Sequence, residues 1–126
     1  MPVKDSLETA EQAIRAIVTG GHTLTVYDDY STAENAARLD ALHDELGIQV
    51  VHISDHIDHP SPNYRWVLIE AQKTCVKSGQ DLVIVESDVM VREQTLARLQ
   101  EAVNEKTGMV AAVTVNEEGA INFPYE

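Results

Sequence analysis

Residues 81–88 read DLVIVESD, and the reading of the fold hangs on them. Four apolar residues, Leu82, Val83, Ile84 and Val85, run without a break into two acids one residue apart, Glu86 and Asp88. An apolar run bounded by polar residues suits a strand covered on both faces, as in parallel sheets packed between helices. Such sheets bind ligands outside the carboxyl ends of their strands, which is where these acids would emerge. Two carboxylates so spaced in a polar loop can share a hard divalent cation, Mg²⁺ or Mn²⁺. The stretch therefore predicts a strand that carries the metal end of a site for a phosphate-bearing ligand.

On either side of it, helical periodicity alternates with short apolar runs. Upstream, residues 6–18 set Leu7, Ala10, Ile14, Ile17 and Val18 on one helical face, with Asp5 as the expected cap, Glu8 in the capping-box position and Gly20 and Gly21 as the stop. HTLTVY at 22–27 reads as a strand ending at Asp28 and Asp29. Ser31 is the expected cap of a helix over 33–46, Gly47 its stop, and IQVVHI at 48–53 the next strand. Pro60 and Pro62 keep the polar loop 54–62 irregular. A third helix starts at Asn63 on a stripe of Val67, Leu68, Ala71 and Cys75, and Gly79 stops it.

Downstream, residues 93–106 predict a fourth helix on Leu96, Leu99 and Val103. MVAAVTV at 109–115 reads as another buried strand, NEEG at 116–119 as a turn, and 120–123 as the start of a last strand. Strict alternation with short connections implies parallel strands joined by helical crossovers. One α/β domain over 1–126 is expected: a three-layer, doubly wound, mostly parallel sheet flanked by helices. Only residues 1–3 precede the first helix, and the chain stops at 126 as a strand begins, so a piece of a longer protein is expected.

Charge narrows the partners. With 21 acids against 9 Lys and Arg, the formal net charge is −12, which repels polyanions and argues against nucleic acid as a partner. An anionic nucleotide would need a cation to bind. No apolar run approaches the roughly 18 residues of a membrane span, so no transmembrane segment is expected, and residues 1–9 lack the apolar core of a signal peptide. Cys75 is the only cysteine, which excludes an internal disulfide and points to a reduced, cytoplasmic setting.

Acids follow each of three expected strands: Asp28 and Asp29, then Asp55 and Asp58, then Glu86 and Asp88. Any one cluster reads most simply as a cap or turn, but loops at the same ends of parallel strands open on one edge. HISDHIDH at 52–59 has the residue types for Zn²⁺ or Ni²⁺ but no compact ligand spacing, and reads as a solvated loop. Cys75 reads as a small core residue and Trp66 as a packing residue.

Four stretches in order, PVKDS at 2–6, VYDDYST at 26–32, NYR at 63–65 and VIVESDV at 83–89, resemble the motifs of family 2 glycosyltransferases, which have the GT-A, Rossmann-like nucleotide-sugar-binding fold. The resemblance covers nearly the whole chain and corresponds to the donor-binding half. It implies that Asp28, Asp29 and Ser31 face the nucleoside, that Asn63 and Arg65 line the nucleotide pocket, and that Glu86 and Asp88 match the Asp-x-Asp motif holding Mg²⁺ or Mn²⁺ on the diphosphate. The implied partner is a nucleotide diphosphate-sugar, and the implied parent activity is sugar transfer to an acceptor. Lys4 stands where the family often has an aromatic, Tyr30 where it has Gly, and Glu86 where it has the first Asp. The acceptor region and the catalytic base have no counterpart here, so catalytic residues remain unassigned and the chain alone is expected to be inactive in transfer.

Two rival readings come from other classes. A non-catalytic, receiver-like regulatory or interaction domain would use Asp28 and Asp29 as an acidic pocket, but the run 109–115 ends without the Lys it calls for. A phosphatase-type hydrolase would need a nucleophilic Asp with a Lys beside it, and Asp28 has no convincing partner. The near-absent first strand carries its own expectation. In the family fold it lies between the strands at 24–27 and 82–85, and without it those edges are unpaired. A homodimer, an exchanged strand or a rearranged sheet is expected.

Overall fold

A computed structural model describes residues 1–122 of the chain, which fall into two compact units, residues 1–90 and 91–122. In the first unit, β1 (Pro2–Val3), β2 (Thr25–Asp28) and β3 (Gln49–His52) form a sheet in the order β1-β2-β3. Both pairings are parallel, with Val3 opposite Asp28 and Asp28 opposite His52. Helices α1 (Leu7–Thr19) and α2 (Ala33–Leu46) make the two crossovers, and α3 (Tyr64–Ser78) follows a short 3-10 turn at Ile53–Asp55. The architecture is α/β, with a small parallel sheet flanked by helices, in agreement with the alternation in the sequence.

The apolar stripes fix which faces go inside. Ala10, Ala13, Ile14 and Ile17 of α1 and Leu39 and Leu42 of α2 are buried, together with Val3 and Val26 of the strands and Ile48 just before β3. A second cluster joins Tyr27, Ile53 and Val67, with Tyr30, Val51, Ile57, Trp66 and Ala71 packed against it. Fully burying one such aliphatic side chain is worth about 1.5–3 kcal/mol, so these positions dominate the stability of the unit.

The helix ends show where short-range reading succeeds and where it slips. Gly47 (φ 69°) and Gly79 (φ 66°) end α2 and α3 in the left-handed conformation that favours glycine. Thr32 is the N-cap of α2, its hydroxyl accepting from the Asn35 N–H at 3.4 Å, one residue beyond the expected Ser31. Asp5 does not cap α1, which begins after Ser6 with no side-chain cap. Its carboxylate crosses to α2, accepting from the Thr32 N–H at 2.9 Å and Asn35 Nδ2 at 2.8 Å. Tertiary approach thus gives this side chain one backbone and one side-chain donor at the start of α2 in place of a capping role on α1. Along the same two helices Glu11 pairs with Arg15 (2.8 Å) and Arg38 (2.6 Å), and Arg15 with Glu45 (2.9 Å).

Residues 82–85 correct the expectation that opened the reading of the sequence. They enter no sheet, and Leu82, Val83 and Ile84 are 39%, 46% and 43% exposed. An apolar run becomes a strand only against a hydrogen-bonding neighbour. The strand expected beside it, β1, is two residues long, and Pro2 has no N–H to donate. Of the strands the alternation predicts, the sheet keeps those at 25–28 and 49–52 and adds the short β1.

The second unit departs further. Its helix α4 (Thr95–Ala102) is shorter than expected: Gln94 gives it no side-chain cap, Leu96 is its one buried residue, and Val103 leaves in extended conformation. Residues 109–115 form no parallel strand. The turn at 116–119 forms as read, with Gly119 at φ 84° and its N–H donating to the Asn116 carbonyl at 3.0 Å. It supports a single antiparallel bridge between Val115 and Ile121. The rest of the last expected strand, at 123, lies outside the described residues. Among the described residues no helix is long and apolar enough to cross a membrane.

Replacing Ile14, which has no exposed surface, by Ala should cost about 2–5 kcal/mol in urea unfolding followed by circular dichroism. Val76→Ala, at a position 76% exposed, should stay within about 0.5 kcal/mol of the parent.

Candidate functional site

The carboxyl end of β2 runs directly into Asp28, Asp29, Tyr30 and Ser31, and this corner gathers most of the polar side chains singled out from the sequence. Asp28 is buried; its Oδ1 accepts from the Ser31 N–H at 3.0 Å and its Oδ2 lies 2.7 Å from His52 Nδ1. The Ser31 hydroxyl accepts from the Asp5 N–H at 2.9 Å, tying the exit of β1 to the exit of β2. Tyr30 holds φ 62°, a conformation most side chains avoid and Gly adopts freely. Its ring packs against the Tyr27–Ile53–Val67 cluster, and its hydroxyl donates to the Ile57 carbonyl and accepts from the His59 N–H. Those contacts hold a backbone shape of a kind that costs about 1–3 kcal/mol in isolation.

Asp29, also buried, turns the other way and anchors α3. Its Oδ2 accepts from the Asn63 N–H and the Ser61 hydroxyl, each at 2.8 Å, and its Oδ1 from Asn63 Nδ2 at 2.7 Å. Asn63 also donates to the His59 carbonyl at 2.9 Å, so its side chain serves the loop and the strand end instead of capping its own helix. Burial pulls the Asp29 carboxyl upward, but the three donors and the positive charge of Lys4 outweigh it and hold it below the usual carboxylate range.

From the first turn of α3, the Tyr64 hydroxyl donates to Glu86 Oε1 at 2.8 Å, bringing the acidic loop to the helix start. Arg65 is exposed and lines an open cavity of about 390 Å³ together with His59, Pro62, Asn63, Trp66 and Ile69. Trp66 packs edge-on to Tyr27, with ring centres 6.4 Å apart, and tilts over His56 at 5.5 Å. It therefore both packs and borders the cavity.

Asp29 and Asn63 are thus in direct contact, Asp28 is bonded to Ser31, and Glu86 is bonded to the Tyr64 hydroxyl. Asp88 is exposed and makes no side-chain hydrogen bond among the described residues, and Arg65 makes no ion pair there. Also among them, no group of three or more His, Cys, Asp or Glu gathers as a metal cage. The histidines of the loop 52–59 disperse: His52 to Asp28 and Asp40, His56 to Trp66, His59 to the Pro60 carbonyl.

Sequence reasoning overlooked His52, Asp40 and Ser61 as parts of this corner. His52 was legible only through the sheet register, which sets it opposite Asp28. Compared with known proteins, the chain matches no family model, no curated protein and no solved structure.

Asp29→Ala should destabilise the chain by about 2–3 kcal/mol at pH 7, because it removes a charged acceptor from the Asn63 N–H, the Asn63 amide and the Ser61 hydroxyl. The folded carboxyl lies below its unfolded value, so its contribution is complete above about pH 3.9 and is lost as pH falls through the lower, folded value. Urea unfolding across the acid range should show that part of the pH dependence missing in the variant.

Proposed function

We propose that this chain is the donor-binding half of a family 2-like glycosyltransferase of three-layer GT-A form, and that it binds a nucleoside diphosphate-sugar at the corner where β2 ends and α3 begins. The observation that carries the reading is a pair of direct bonds, Asp29 to Asn63 and Tyr64 to Glu86. They join three stretches, 26–32, 63–65 and 83–89, that the resemblance names separately and that lie far apart in sequence. Tyr30 adds support: it stands where the family has Gly and adopts the left-handed backbone that explains a Gly there.

In this reading Asp28, Asp29 and Ser31 shape the nucleoside end. Asn63 fixes the pocket wall, and Arg65 directs positive charge at the diphosphate along the open cavity. Glu86 and Asp88 would hold Mg²⁺ or Mn²⁺, which when bound neutralises charge on the leaving nucleoside diphosphate. No carboxylate can be assigned as the base toward an acceptor hydroxyl, so binding without transfer is the expected behaviour. The receiver-like alternative is less well supported: Asp28 is 4% exposed with both oxygens hydrogen-bonded, unlike an acid that must meet a phosphoryl donor.

Trp66 is the sole tryptophan and borders the cavity, so its emission reports on occupancy. Uridine or guanosine diphosphate titrated with Mn²⁺ should change that emission and give a calorimetric isotherm. Chelating the metal, or Asp88→Ala, should weaken binding at least about tenfold, roughly 1.4 kcal/mol. Equal affinity without metal would overturn the cation assignment, and no binding of any nucleotide would overturn the reading as a whole.

A further inference from the structure

His52 closes β3 opposite Asp28, and its ring sits between two carboxylates. Nδ1 is 2.7 Å from Asp28 Oδ2, and Nε2 is 2.9 Å from Asp40 Oδ1 on α2. Ionised carboxylates only accept hydrogen bonds, so each contact needs an N–H on the ring. A protonated imidazole has two and a neutral one has one, so both contacts together belong to the charged ring.

We propose that His52 is a proton-operated clasp: charged, it ties α2 to the carboxyl edge of the β2–β3 pair, and neutral, it keeps Asp28 and lets go of Asp40. Exposure decides which partner is released. The Asp40 side chain is 63% exposed and rehydrates easily, whereas that of Asp28 is 5% exposed and would be left buried with an unmatched charge. Asp28 is held on its other side by the Ser31 N–H, so it stays fixed while Asp40 swings free. The neutral ring therefore carries its hydrogen on Nδ1 and offers the lone pair of Nε2 to solvent.

The charged groups acting on the ring among the described residues are Asp28 from β2 and Asp40 from α2. Burial disfavours the imidazolium, but the two carboxylates outweigh it and raise His52 above the ordinary histidine value. A raised folded value makes the clasp's stabilisation complete below the unfolded value, about 6.5, and lost as pH rises through the folded one. The clasp acts on the edge that carries Asp28, Asp29 and Ser31, yet its existence does not depend on what binds there.

The test is a pH titration of the intact chain by ¹H–¹⁵N NMR of the imidazole nitrogens. His52 should titrate at higher pH than histidine in an unstructured peptide, its neutral form should be protonated on Nδ1, and Asp40→Ala should shift its midpoint downward. Asp40 is exposed, so this variant retains the fold, and unchanged amide spectra away from α2 and β3 would verify that. A midpoint at or below the peptide value, a neutral ring protonated on Nε2, or a midpoint unmoved by Asp40→Ala would each overturn the proposal.

Discussion

The carboxylate of Asp29 is the interaction on which the corner of the first unit depends. A buried charge is tolerated only when its acceptor positions are filled, and here three donors from Ser61 and Asn63 fill them. The bond from the Asn63 N–H spans 34 residues and fixes where α3 starts relative to the end of β2. Once that point is fixed, Val67 one turn along α3 meets Tyr27 and Ile53, and the second hydrophobic cluster closes.

Tyr30 and Asp5 make the same point from the two sides of that corner. Each sits at a positive φ, each follows a strand, and each sends its side chain to a segment more than 25 residues away. Long-range partners hold local conformations that the residues would not choose alone. The two strand exits and the start of α2 thereby become one network, in which Ser31 links Asp5 to Asp28.

Much of this was legible in the sequence because it rests on short-range rules. The stripe of α1, the spans of α2 and α3, the glycines at 47 and 79 and the strands around 25–28 and 49–52 follow from periodicity and from the conformational freedom of glycine. Asp28 illustrates the limit for the site: its turn bond to Ser31 is local and readable, whereas its bond to His52 depends on a register between strands 24 residues apart. Residues 82–85 show the limit for the fold. Composition declares that a segment is apolar, but a strand needs a hydrogen-bonding neighbour, and 82–85 have none in the sheet. Asp5 obeyed capping chemistry yet chose a different helix, a competition that spacing alone cannot decide.

The two β–α–β crossovers have an unusual sameness. Tyr27 pairs with Pro2 across 25 positions, and Val50 pairs with Val26 across 24. The entropy of closing a loop rises only with the logarithm of its length, so the two closures cost nearly the same. Neither pairing has a head start over the other from chain length, and what separates them is the ladder each can form: two residues for the first, four for the second. Assembly of the sheet is therefore weighted toward the β2–β3 pair, with β1 added onto an edge that already exists. Of these three strands, the first in sequence is the one whose place in the sheet leans most on the other two.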